Sequence, residues 1–199
     1  MPYDVTILTV QPAVMPRALA GLQTALADGA SDLLACWYSE IGALNQIMII
    51  RNGAQSAEQR MAALRNDNPY GIGDLMTATV NETYESFPFI PPMKAGSHGP
   101  FFEVRTYLLK PGALTGTLDR WEKALPERLK RSPILAAMHS VSGPIPSFIH
   151  IWPYKSLDER HQVRSKAVAD KIWPPPGGAG TLLTQQTDIY VAAPFSPIK

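Results

Sequence analysis

In the stretch HIWPYKSLDERHQVR, residues 150–164, His150, Trp152 and Tyr154 occupy alternate positions before charged residues take over. Alternate side chains of an extended chain share a face, so an imidazole, an indole and a phenol are expected side by side. In FFEVRTYLL, residues 101–109, the same alternation groups Glu103, Arg105 and Tyr107. An imidazole titrates near neutral pH and can move a proton, and a guanidinium can hold a carboxylate or a developing oxyanion. If a hairpin turns near Pro144-Ile145, His139 lies across from His150. The set then offers His150 or His139 as general base and Arg105 as anion holder, with Glu103, Tyr107, Trp152 and Tyr154 as the lining of a small-molecule pocket. Tyr38, which aligns with His139 in an internal repeat, would border it together with Glu40 and Asn45.

Plainer roles stand beside these. A histidine inside a sheet is more often a hydrogen-bonded core residue than a catalyst, and Glu103 with Arg105 could be a buried ion pair. Trp121, at helical spacing with Leu114, Leu118 and Leu125, fits a core. The run Lys155 to Arg164 reads as a solvated helix face, where Asp158, Glu159 and Arg160 serve the helix start and its dipole. His98 and His161 have no companion at ligand spacing. The chain contains no CxxC, HExxH, P-loop or dinucleotide-binding glycine pattern, and a metal shared by His139, His150 and Glu103 is a weak case. No cofactor is expected.

Composition narrows the class. The chain has 199 residues, 45% of them hydrophobic, and a formal charge of +1. That length supports a sizeable core. Lysines and arginines are scattered among acids, which excludes the basic stripe a nucleic-acid partner needs. The single cysteine, Cys36, lies in an apolar run and is expected as a small core residue, in keeping with a reducing compartment. No basic leader precedes an apolar stretch and no run is long enough to span a bilayer, so a cytoplasmic location is expected.

The elements that must position these residues come in two copies. VTILTVQPAVM from Val5 resembles VRTYLLKPGAL from Val104, LACWYSEIG from Leu34 aligns with LAAMHSVSG from Leu135, QSAEQR at 55–60 matches KSLDER at 155–160, and TYESFPFIPP from Thr83 answers IYVAAPFSPI from Ile189. The spacing predicts a tandem duplication, residues 1–92 and 101–199, joined by a Pro- and Gly-containing linker at 93–100. Each half reads as strand, helix, two strands, helix, strand. In the second half the predicted strands are 101–109, 134–142, 146–154 and 181–191, and Ser156 with Glu159, like Ser56 with Gln59, signals a capped helix start. This is the order of a ferredoxin-like βαββαβ unit. Two such units can press their bare sheet faces together, so the expected fold is α+β, two tandem ferredoxin-like repeats packed sheet to sheet in one intramolecular barrel. Aliphatic Ile149 and Ile151 are expected to face the helices, and the ring-bearing face is expected to look into the barrel. PPPGGAG, residues 174–180, is expected to be a loop, a candidate lid.

The aligned segments resemble the NIPSNAP family: FEVRTYLLKPGAL with Trp121 beyond it, HIWPYKSLDERHQVR, WYSEIGALNQ at 37–46 and PFSP at 194–197. The resemblance implies a dimeric α+β barrel fold, shared with small cofactor-free monooxygenases, isomerases and some haem proteins, and no settled reaction. The resemblance also implies a leaning toward a binding role, since some animal relatives are described as mitochondrial and linked to vesicle traffic or organelle turnover through protein contacts. The pocket residues cluster in the second half: Thr6, Leu8, Ile49, Arg51 and Gly53 stand where Arg105, Tyr107, His150, Trp152 and Tyr154 stand there. A single pocket in the second half is therefore expected, with a non-catalytic interaction module as the alternative. A homodimer of tandem chains through strand edges is also compatible.

Overall fold

The computed structural model describes residues 1–27 and 32–199. In chain order the elements are β1 (Pro2–Val10), α1 (Met15–Ala27), β2 (Leu33–Ile41), β3 (Gln46–Asn52), α2 (Ala57–Arg65), β4 (Met76–Ser86), β5 (Phe101–Leu109), α3 (Leu114–Leu129), β6 (Ala136–Ser140), β7 (Ser147–Tyr154), α4 (Leu157–Ala169) and β8 (Leu182–Ala192). The strands close into an antiparallel barrel in the order β1-β3-β2-β8-β5-β7-β6-β4. Pro111-Gly112 ends β5, with Gly112 at φ +78, a conformation glycine adopts without cost. The chain then enters α3, which buries Trp121 and Leu125 on the sheet.

Period-2 alternation divides each strand between two layers. The barrel interior takes Tyr3, Val5, Trp37, Met48, Phe102, Val104, Ile149 and Ile151. Trp37 and Phe102 stack there with centroids 4.1 Å apart. A second cluster lies under α1 around Leu8, Leu22, Ile47 and Ile49, and includes the buried Cys36, whose thiol burial pushes up to about 12. A third lies between the β5–β7 sheet and α3, around Trp121, Phe148, Trp152 and Tyr154.

The ring-bearing face therefore looks at the helices and the aliphatic face fills the barrel, the reverse of the expectation. The cause is space and charge. A closed eight-stranded barrel leaves an interior just wide enough for side chains to fill, and apolar groups, aliphatic and aromatic alike, fill it while the charged residues of β5 are kept out. Glu103 needs cations, and the helices supply them.

The segment 93–100 forms neither helix nor strand beyond an isolated bridge from Gly96 to Ile198. Met93 is buried in the barrel cluster, its N–H donating to Tyr3 Oη at 3.1 Å. Among the described residues no helix is long and apolar enough to cross a membrane.

Candidate functional site

The site begins with the start of α4. Ser156 Oγ accepts from the Glu159 amide at 3.0 Å, and Glu159 Oε2 accepts from the Lys155 amide at 2.6 Å. This cap sets the phase of the helix, and residues four apart share a face. Arg160 and Arg164 thus point together, toward β5 rather than into water. Arg160 Nη2 donates to Glu103 Oε1 at 2.7 Å, and Arg164 Nη1 lies 3.2 Å from the same oxygen. Arg105 Nη1 reaches it at 3.2 Å from two positions along the same strand face. Glu103, fully buried, is the hub of a carboxylate–guanidinium cluster, and the solvated helix face expected for 155–164 is corrected for Arg160 and Arg164, while Lys155, Asp158, His161 and Gln162 are exposed as expected.

A fourth guanidinium approaches from α3. Arg128 is buried, donates to Ser132 Oγ at 2.7 Å and to Tyr154 Oη at 3.3 Å, and lies 4.2 Å above the Trp152 ring. Burial lowers the pKa of both Arg128 and Arg164, opposed by the Glu103 charge. Burial also raises the Tyr107 and Tyr154 phenols, which stay protonated. Arg105 Nε donates to Tyr107 Oη at 2.6 Å, which leaves the Tyr107 proton free to donate onward.

His150 sits at the centre of the rings. Tyr107, Trp121 and Phe148 pack on it with centroids 5.0, 4.8 and 5.6 Å away. Trp152 Nε1 donates to His150 Nδ1 at 2.6 Å. An indole N–H can only donate, so Nδ1 is the acceptor and the neutral ring carries its proton on Nε2. That Nε2 is buried with no hydrogen-bond partner. Burial, and then the charges of Arg105, Arg164 and Arg128, hold the imidazole well below its ordinary pKa. His150 is thus a neutral N–H donor, and the expectation of a general base with a near-ordinary pKa is not met.

Two adjoining clefts lie over this layer. One, of about 190 Å³, is walled by Tyr107, Trp121, Phe148, Pro174, Pro175 and Leu182. The other, of about 100 Å³, is lined by Arg105, Arg128, Arg164, Trp173 and Gln185. Tyr107, Pro174 and Gln185 belong to both. The loop 174–180 contributes a wall through Pro174, Pro175, Gly178 and Ala179.

The structure brings together Glu103, Arg105, Tyr107, His150, Trp152 and Tyr154. It does not bring His139 or Tyr38. The β6–β7 hairpin pairs His139 with Phe148 and Ala137 with His150, because the turn centres between Gly143 and Pro144. His139 opens instead on a separate cleft with Glu85, Phe87 and Leu118. Tyr38 packs against the α1 cluster, on the outer face of the other half, and Glu40 is exposed. Among the described residues no three metal-ligating side chains come together, and Glu103 is engaged by guanidiniums and His150 Nδ1 by Trp152. In the first half, the positions of Glu103 and Arg105 hold Asp4 and Thr6, bonded to Asn81 at 3.0 and 2.6 Å.

Sequence reasoning missed Arg128, Arg164, Trp173 and Gln185 as site residues. A readable signal existed for Arg164: two arginines four apart on a capped helix, following a strand whose partner carries a glutamate on its ring-bearing face.

Residues 102–197, which contain every residue of this cluster, match the NIPSNAP family model. The NipSnap homologue of Dictyostelium discoideum is 26% identical over 147 residues, 72% of this chain and 66% of that protein. A nipsnap family protein with unknown function from Agrobacterium tumefaciens is 32% identical over 54% of this chain and 100% of its own, with a TM-score of 0.47. A candidate monooxygenase from Fusobacterium nucleatum shares the fold, with a TM-score of 0.67, 11% identity, and coverage of 96% of this chain and 92% of that one. The chain spans about two thirds of the length of the Dictyostelium and Drosophila relatives it matches, and half or less of the vertebrate ones.

Proposed function

This chain belongs to the NIPSNAP family, and from that premise we propose that it binds a small organic ligand between the β5–β7 sheet and the helices, with His150 as a neutral N–H donor. The observation that carries this reading is the unpartnered Nε2 of a fully buried His150 whose packing partners Tyr107, Trp121 and Phe148 wall the cleft. A buried N–H without a partner costs about 1–3 kcal/mol. A ligand acceptor that reached it would remove that cost. Trp152 then fixes the tautomer, Glu103 orients the guanidiniums, Arg105 and Tyr107 present donors to the cleft, and Tyr154 holds Arg128. Proton abstraction by His150 has no place in this scheme, because its one lone pair is occupied and a proton added there would meet neighbouring guanidiniums.

Native mass spectrometry of the purified protein tests this, with tryptophan fluorescence as the second readout since Trp121 and Trp173 border the clefts. The expected result is a small-molecule adduct that is lost on denaturation and absent from an Arg105→Gln, His150→Asn variant with an unchanged circular dichroism spectrum. A chain at its bare mass, with no fluorescence response to a panel of small acids, alcohols and amines, would overturn it.

The chain is further read as a tandem pair, residues 1–92 and 101–199 joined by 93–100. The barrel order supports this, since β4-β1-β3-β2 and β8-β5-β7-β6 are the same ferredoxin-like order. So do the seams: Ser39 pairs with Tyr190 and Tyr84 with Ser140, positions that align between halves.

A non-catalytic contact role has one observation in its favour. β4 meets β6 only at residues 84–86, and β8 meets β2 only at 189–192, so the exposed stretches 77–80 and 183–186 present one unpaired edge each. Light scattering at rising concentration would detect a homodimer built on these edges.

A further inference from the structure

Resting on that ligand-binding reading, we propose that the ligand is an organic carboxylate, its charged end held among Arg105, Arg128 and Arg164 in the cavity of about 100 Å³ and its apolar body in the adjoining cleft of about 190 Å³.

The charge inventory comes first. Arg105, Arg160 and Arg164 converge on one carboxylate, Glu103. Arg128 adds a fourth guanidinium, and among the described residues it makes no ion pair: its donors go to the neutral hydroxyls of Ser132 and Tyr154. Buried charge is costly unless it is paired, and here a single anion faces four cations. Three of the four line the same cavity, and they come from β5, α3 and α4, so the convergence belongs to the tertiary fold. The surplus is positive and partly shielded from water, with Arg128 buried and Arg105, Arg160 and Arg164 partly exposed; a neutral ligand would leave it unpaired and a cation would worsen it.

The headgroup follows from the donors. A guanidinium is a planar fork that matches a carboxylate with two parallel N–H bonds. The Tyr107 hydroxyl, already accepting from Arg105, has its proton to give, and Gln185 borders both chambers. The Ala167 and Val168 side chains of α4 keep the small chamber narrow and apolar on one side, where charge pairs are strengthened.

The body follows from the second chamber. Its walls are Trp121, Phe148, Pro174, Pro175 and Leu182, with Arg120 at its rim bonded to Thr117 and Thr181. Flat rings and prolines suit an aromatic or branched hydrocarbon group. The geometry therefore describes a short amphiphilic acid rather than an inorganic anion.

The test uses the full chain with phenylacetate, its neutral isostere phenylacetamide, phenethylammonium and inorganic phosphate, read by tryptophan fluorescence and thermal shift. Saturable binding of phenylacetate at least tenfold tighter than phenylacetamide, and no response to phenethylammonium, is expected. Arg164→Gln should weaken phenylacetate at least tenfold and phenylacetamide by a much smaller factor, and Arg164→Lys, which keeps the charge without the fork, should fall between. Equal binding of the acid and the amide would overturn the anionic assignment and leave the cleft as a binding site. Phosphate binding as tightly as phenylacetate would overturn the apolar arm. No response to any probe would overturn the ligand-binding reading itself. The comparison among probes is made on the unaltered protein, so it stands even if an arginine variant fails to fold.

Discussion

His150 decides what chemistry the cluster can do, and its state is testable through stability. Its pKa in the fold lies well below the 6.5 of a free histidine. The unfolded chain therefore binds the proton first as the pH falls. The contribution of a neutral His150 is fully present above about pH 6.5 and shrinks below it, by about 1.4 kcal/mol per pH unit, until the folded pKa is reached. Urea midpoints between pH 7.5 and 5 should fall more steeply for the native chain than for His150→Asn, and parallel slopes would refute a buried neutral imidazole. Glu103 is the complementary case. Replacing it by Gln leaves Arg105, Arg160 and Arg164 without their shared anion. Removing one partner of a buried ionic network costs about 3–5 kcal/mol, so Glu103→Gln should lower the urea midpoint far more than Arg160→Gln, whose side chain is 27% exposed.

At the scale of elements, α4 carries the arginines to the sheet, and its cap fixes where they land. Ser156→Ala removes the acceptor for the Glu159 amide and is expected to cost about 1 kcal/mol. Because Arg160 and Arg164 sit one and two turns beyond the cap, the same variant should also weaken phenylacetate, an effect absent if the cap served the helix alone. Much of this level was legible in the sequence. Strand β5 spans the expected 101–109, β7 and β8 lie within one residue of expectation, and the capping motifs stand where Ser-x-x-Glu and Ser-x-x-Gln placed them. The side of the sheet was not legible. Alternation says which residues share a face, and only closure of the barrel decides which face is inside. The polar face of α4 misled for the same reason: its lack of an apolar stripe reads as solvent exposure unless the glutamate it neutralises is already known to lie beneath. His139 was misplaced by a two-residue change in pairing, which keeps its face and moves it out of reach. Six of the eight residues expected at the site do meet there, because strand pairing keeps Glu103 beside Trp152 and Arg105 beside His150 whichever face they present.

At the scale of the whole molecule, two seams close the barrel, and they are built alike. Ser39 of β2 pairs with Tyr190 of β8, and Ser140 of β6 pairs with Tyr84 of β4. At each seam a glycine of the β2–β3 or β6–β7 hairpin lies against a carboxylate of the opposing strand. Gly42, at φ +104, abuts Asp188, which accepts from the Ala43 amide at 2.8 Å, and Gly143, at φ +77, abuts Glu82. A side chain at either glycine would strike that carboxylate in a backbone conformation already costly for any other residue. The second half thus owns both kinds of edge: a β6 edge of the sort that receives a Tyr-bearing strand, and a β8 edge that is one. A fragment of residues 95–199 cannot remain a monomer without exposing both edges and the interior face of Phe102, Val104, Ile149 and Ile151. Two copies can satisfy both edges at once through a twofold axis, Ser140 of each pairing with Tyr190 of the other. The fragment should therefore run as a dimer by light scattering, unfold in a concentration-dependent transition, and bind two phenylacetates per dimer, since each copy carries Glu103, the four arginines and His150. A folded monomer would show that the halves are independent domains, and an unfolded chain would show that the first half supplies something beyond its edges. A Gly143→Ala fragment, with its Cβ directed at the incoming strand, should lose the dimer before it loses helix content by circular dichroism.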